Sequence, residues 1–230
     1  MITTTAFPDE ARERLTEYLF TPGRALPTGL GTKEAACSIA AVNLALTGHL
    51  SDEIPNCMSW VIGQWVRAVQ DVMPDELRNS ERWKRALIEA VGTGNEHERE
   101  RSDLLLDWMW DTVLPPMQSV VDKHGLGKVR REMWEERTEN AALVAAAAAC
   151  NVKSSSAHNA YCAAFSAAGS AADYLEVGAY FSAHVASVAS YSACVIAADA
   201  SFSDAWESFD PAGLLERLVA VGAGGTGEAR

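Results

Sequence analysis

Between Ala141 and Ala198, 58 consecutive residues carry only three formal charges, Lys153, Asp173 and Glu176, and this constrains the fold more than any motif does. At the 22% charged residues of the whole chain, such a stretch would hold about 13. From Ala141 to Trp206 there are 24 Ala and 11 Ser in 66 residues. Alanine has the highest helix propensity and small side chains let helix axes approach closely, so two or three tightly packed helices are expected here. Little of their surface suits water. They must therefore pack on the Trp-rich N-terminal part or on another copy of the chain.

Nowhere does the chain sustain the alternation of a half-buried strand, whereas helical spacing recurs almost throughout. The expected fold is all-α, a helical array or bundle of about 8–10 helices, with residues 1–140 forming an amphipathic region rich in Trp, 141–221 the Ala/Ser-rich region, and 222–230 a disordered tail. A first helix is expected over Asp9–Phe20, ended by Thr21-Pro22-Gly23. Thr32 is the expected cap of a second helix reaching Thr47, and Asn56 that of a third, whose stripe Met58, Val61, Ile62, Trp65, Val69, Val72 and Met73 faces a core. Past Pro74 one helix carries Trp83, Leu87 and Val91, and another spans Glu96 to Leu114. A long helix is then expected beyond Gly127, charged as far as Glu139 and apolar afterwards.

Composition excludes several classes. With 48% hydrophobic residues and seven Trp, the chain is not disordered over most of its length. Nineteen Lys and Arg against 31 Asp and Glu give a net charge of −12, which is opposed to direct nucleic-acid binding through phosphate neutralisation. The first residues show neither a basic region nor an apolar run, and five widely spread cysteines make no disulfide framework, so reduced thiols and a cytoplasmic setting are expected. Val177–Ala198 carries no formal charge over 22 residues, and its Ala content together with four Ser and His184 favours a buried helix over a membrane span.

Two groups of residues could hold a ligand. The glycine-rich turn with Gly29, Gly31, Thr32 and Lys33 would offer backbone N–H groups and one cation to an anion, although no GxxxxGK[ST] is present. His158 and Tyr161 share a helix face with Cys162 and Phe165. His184 and Tyr191 recur by seven with Val177, next to the series Phe181, Val188 and Val195, which places them on an expected buried seam. Together these aromatic and imidazole rings could stack on and hydrogen-bond a planar ligand. A carboxylate stripe, Glu96, Glu100, Asp103, Asp107 and Asp111, reads as a solvated helix face because no Glu-x-x-His pair accompanies it. His158 and Cys162, with Cys150 or Cys194, match no structural zinc spacing. No metal, no cofactor and no catalytic residue is assigned, and Ser154-Ser155-Ser156 lacks a nucleophile elbow.

The stretches Ala25–Gly48, Asp52–Gly63 and Met73–Ser80 resemble a group of phage and bacterial proteins whose C-terminal halves are Ala-rich helical runs. The likeness covers residues 25 to 94 and, beyond them, composition only. It carries no activity and no catalytic residues. It implies a setting in a bacterial host cell, where small phage-encoded proteins act by binding a host protein or a signalling nucleotide. The function expected from all this is a non-enzymatic, homo-oligomeric binding protein, a phage counter-defence factor that sequesters a small anionic, nucleotide-like ligand. The competing expectations are an acidic, DNA-mimicking inhibitor of a host enzyme, and an enzyme with an unrecognised site.

The charge deficit leads directly to a measurement. Light scattering coupled to gel filtration is expected to show a dimer or higher species at micromolar concentration, because 58 nearly uncharged residues are difficult to cover within one copy. A single 24.7 kDa species would contradict it.

Overall fold

The computed structural model describes residues 7–151, 155–172, 174–197 and 199–222. The expected tail from 223 onward, Ser154, Asp173 and Ala198 lie outside the described residues, as does the side chain of Val177. The protein is all-α, in helices α1 (Asp9–Phe20), α2 (Ser38–Thr47), α3 (Trp60–Gln70), α4 (Asp75–Arg78), α5 (Glu81–Ala90), α6 (Glu98–Trp108), α7 (Gln118–Lys123), α8 (Gly127–Glu136), α9 (Glu139–Asn151), α10 (Ser155–Ala172), α11 (Tyr174–Ile196), α12 (Phe202–Phe209) and α13 (Pro211–Ala220). No described helix is long and apolar enough to cross a membrane.

The chain forms two compact units, one comprising Met1–Arg101 and Pro211–Arg230, the other Ser102–Asp210. The change of composition near Asn140 therefore lies inside the second unit.

In the first unit, α1 packs on α2 and α5, and α13 lies on α5 and α3. Its core is aromatic and aliphatic. Trp65 and Trp83 meet at 5.9 Å between ring centroids, and the Trp83 indole N–H donates to Ser38 Oγ at 3.2 Å. Local capping departs from the sequence reading at two helices. α2 starts at Ser38 and not beside Thr32, because Cys37 Sγ accepts from Ala40 N while Thr32 closes its own turn by accepting from Glu34 N and Ala35 N. α3 is capped by Ser59 in place of Asn56, and the helix expected after Pro74 is interrupted at Asn79, with Ser80 capping α5. Gly48, at φ +77°, ends α2 after Thr47, as its glycine suggests.

The start of α3 ties this unit together. Its four leading N–H groups go to four different side chains: Ser59 N to Thr93 Oγ1, Trp60 N to Asn95 Oδ1, Val61 N to Glu98 Oε2, and Ile62 N to Ser59 Oγ. Glu98 Oε1 also accepts from Ser59 Oγ at 2.6 Å and from Arg101 at 3.1 Å. Arg101, 1% exposed, donates in addition to the carbonyls of Thr93, Gly94, Leu218 and Val221. A second buried guanidinium, Arg78, binds the carbonyls of Leu26, Gln70 and Met73 and the Asp75 carboxylate, so the loop before residue 27 is pinned to the end of α3.

In the second unit α9, α10 and α11 pack in sequence through alanines: Ala145, Ala146, Ala149, Ala157, Ala160, Ala164 and Ala167 are buried. Trp108, Trp206 and Phe209 form its aromatic end, with the Trp108 N–H donating to Phe209 O at 2.7 Å. The single long helix expected beyond Gly127 is broken. Arg137 takes a left-handed φ of +52° and ends α8, where its guanidinium pairs with Asp111 and reaches Asp107 at 4.0 Å; Thr138 Oγ1 then accepts from Ala141 N to begin α9. The helix expected to Leu114 stops being α-helical at Trp108 and widens into a π-turn over Met109–Val113 before Pro115.

Arg101→Met is expected to cost about 3–5 kcal/mol in the unfolding of the first unit, since it strands Glu98 and four carbonyls. Arg82→Ala, which removes a half-exposed pair with Glu216, should stay within about 1 kcal/mol. Urea titration of both variants checks the contrast, and equal losses would refute the keystone role.

Candidate functional site

The glycine-rich turn is folded on itself. Gly29 (φ +64°) and Gly31 (φ +76°) allow a tight reversal, and a Cβ on Gly31 would meet Ala35 O at 2.1 Å. Its donors serve the protein: Gly29 N binds the Asp71 carboxylate at 2.9 Å, Thr32 N binds Ala35 O, Ala36 N binds the Tyr18 hydroxyl and Cys37 N binds Leu30 O. An internal carboxylate thus occupies the place that an anionic ligand would take at Gly29. Lys33 stands exposed at the tip.

These four residues belong to the first unit, and His158, Tyr161, His184 and Tyr191 to the second. On α10, His158 is half-buried and Tyr161 is 1% exposed. On α11, Phe181, Val188 and Val195 are buried, while His184 is half-buried and Tyr191 is 37% exposed. The expectation that His184 and Tyr191 sit on the buried seam is corrected here. Over nearly four turns, a 3.6-residue helix carries the 181-188-195 series inward together with Val185, Ala189 and Ser192, which turns 184, 187, 191 and 194 onto the flank.

His158 Nδ1 donates to the Ala146 carbonyl, 2.9 Å away, which requires the Nδ1–H tautomer or the imidazolium. Cys162 Sγ lies 3.6 Å from Nε2 and 4.0 Å from Nδ1. A sulfur nearly equidistant from both nitrogens is not in line with either lone pair, so the contact lacks the geometry by which a histidine base withdraws a thiol proton. Burial pushes the Cys162 thiol up, and Cys150 adds to this, both opposing a thiolate. No cluster of three or more His, Cys, Asp and Glu side chains suited to a metal exists among the described residues. The carboxylate stripe is a solvated face: Asp103, Asp107 and Asp111 are exposed, and the last two meet Arg137.

A cleft that the sequence did not announce opens in the first unit. It encloses about 410 Å³ between α1, the turn from α5 to α6 and the end of α13, and is lined by Arg12, Glu89, Gly92, Glu96, His97 and Arg101 among others. Arg12 spends two of its five N–H groups on the carbonyls of Ile88 and Val91, at 3.1 and 3.2 Å. Gly92, at φ +99°, keeps the chain beside it free of a side chain. The floor is fixed, because Arg101 is saturated by its carbonyls and by Glu98. One wall is equally close: a Cβ on Gly222 would stand 2.4 Å from the His97 ring. Glu89 and Glu96 add exposed carboxylates at the rim.

Burial holds the His184 pKa below the ordinary histidine range. The folded chain therefore binds that proton more weakly than the unfolded one. The associated stability is intact above about pH 6.5, the unfolded value, and is lost as pH falls below it. His184→Gln is expected to flatten the melting-temperature profile between about pH 6.5 and 5. An unchanged slope would place the acid sensitivity elsewhere.

No family model, no curated protein and no solved structure matches this chain.

Proposed function

We propose that the protein acts by binding a small anionic ligand, and that the cleft of the first unit receives it. The observation that carries this reading is the Arg12 guanidinium, held by two carbonyls at the wall of a cleft of about 410 Å³ with donors remaining. That volume falls within the range of small-molecule sites, about 300–1,000 Å³. Glu89 and Glu96 at the rim favour a ligand with one anionic group and several hydrogen-bond donors over a polyphosphate, which two carboxylates would repel. The His97 ring lines the same cleft as Arg12 and adds an imidazole to its wall. A nucleotide carrying a single phosphate charge satisfies all three features.

Sequestration of such a ligand in phage counter-defence is the setting that the resemblance of residues 25–94 supports. Self-association belongs to the same reading. In its support, α9 exposes Leu143 (48%) and Val144 (50%) on the outer side of the Ala-rich unit, where no charged residue of α9 after Glu139 interrupts the face.

A panel of cyclic and linear nucleotides, screened by thermal shift, is expected to contain a stabiliser among the singly charged members and none among triphosphates. Ligand at about 100 times its Kd adds roughly 2.7 kcal/mol to the folded state. Arg12→Gln should lose most of that shift and Lys33→Ala should keep it. The reverse pattern would move the site to the turn at Gly29–Lys33, and a panel without a stabiliser would favour the acidic inhibitor of a host enzyme.

A further inference from the structure

The cleft of the first unit contains two opposite charges that do not meet. Arg12 donates to the carbonyls of Ile88 and Val91 at the end of α5, and its guanidinium lies 5.7 Å from the centroid of the Phe7 ring. None of these partners carries a formal charge. Glu89, which follows Ile88 on α5, lines the same cleft and is exposed. Among the described residues neither Arg12 nor Glu89 forms an ion pair. Other arginines of the first unit do pair: Arg82 with Glu216, Arg85 with Glu81 and Arg101 with Glu98.

The end of α5 explains why Arg12 can stand apart. The last carbonyls of a helix carry partial negative charge, so a cation is stable there without a carboxylate. Gly92 lets the guanidinium lie close to the chain, since a Cβ at that position would be only 3.7 Å from Arg12 Nη2. Two of the five N–H groups are used in this way, and the others remain for a ligand.

The charges around the cleft then sort into met and unmet. Arg101, at the floor, is balanced by Glu98. His97 Nδ1 stands 3.7 Å from Glu100 Oε1, so its charge, when protonated, is met there. What is left is the Arg12 cation and the Glu89 carboxylate, with Glu96 adding to the negative side. A simple anion on Arg12 would stand beside two carboxylates, and a simple cation on Glu89 would leave Arg12 without a counter-charge. A molecule carrying both signs answers both demands. Being neutral overall, it also approaches a chain of charge −12 without repulsion.

We infer that the ligand of the cleft is a zwitterion, with its anionic group on Arg12 and a protonated amine on Glu89. This rests on the anion-binding reading above and narrows it: the hydrogen-bond donor at the rim carries a positive charge, whether on a nucleotide frame or a smaller one. A primary ammonium brings three N–H donors, and a carboxylate is acceptor-only, so the rim selects for the charged amine and against a hydroxyl or a second anion in its place. Glu89 is thus the residue that sets specificity, and Arg12 the one that anchors.

The test is calorimetric titration of the full chain at neutral pH and constant ionic strength. Taurine and homotaurine are the probes, each compared with its amine-free counterpart, ethanesulfonate and propanesulfonate. Wild-type protein is expected to bind the aminosulfonates about three- to fivefold more tightly, as befits a charge pair at an exposed rim. Glu89→Gln, an exposed replacement, is expected to erase this preference by weakening the aminosulfonates alone, and Arg12→Gln to lose all four probes. Equal wild-type affinity for the amine-bearing and amine-free probes would overturn the inference and leave the anion site standing. A preference that survives Glu89→Gln would also overturn it. So would a Glu89→Gln protein that binds all four probes more tightly, because Glu89 would then be a competitor for Arg12. Absence of binding by any probe up to about 20 mM, a range suited to such small ligands, overturns the inference too. In that case the anion-binding reading falls with it only if the nucleotide panel also lacks a stabiliser that depends on Arg12.

Discussion

The ion pair between Arg101 and Glu98 is the constraint on which the first unit depends. A buried guanidinium must have its charge balanced and its donors filled, and here each demand is met by a different part of the chain. Glu98 balances the charge and, with the same carboxylate, caps α3 through Ser59 and Val61. The remaining donors collect carbonyls from the turn after α5 and from the end of α13. Three segments distant in sequence are thereby fixed to one side chain. The cleft exists because these segments converge on Arg101 without closing over it, and its polarity follows from what holds them there.

The two units solve the packing problem differently. In the first, large rings such as Trp65 and Trp83 fill the space between short helices, and buried arginines organise the loops. In the second, α9, α10 and α11 meet through alanines, whose small volume brings backbones close but contributes little apolar area per residue. Such a unit needs other sources of stability. The aromatic end at Trp108, Trp206 and Phe209 is one.

Most of the fold is legible in the sequence wherever a local rule decides it. α1 and the C-terminal end of α2 follow from proline, glycine and the period of apolar residues. Errors arise where a distant group competes. Thr32 is a good cap in isolation, but its hydroxyl is used within its own turn, and α2 waits for Cys37, beside Ser38, whose N–H is taken by Gln70. The helix expected past Gly127 breaks at Arg137 because Asp111, 26 residues earlier, receives its guanidinium. The candidate turn at Gly29 was visible, yet that Asp71 fills it was not, since the two are 42 residues apart. Arg101 and Arg130 did leave a trace. Each stands on the apolar stripe of its helix, with Leu105 and Trp108 following the first and Met133 the second, and a charge in such a register signals a buried polar site.

A net charge of −12 has to be reconciled with the proposed anion binding. At physiological ionic strength the Debye length is about 8 Å, so acids scattered over the surface act weakly on a group inside a cleft or a core. What an anion meets there is set by the nearest cations and by how little water screens them. Arg12 is half-buried beside two rim carboxylates, which admits one negative charge and discourages more. The global charge therefore governs how slowly anions approach the protein, whereas at the proposed site the local placement of Arg12 would govern which of them is retained.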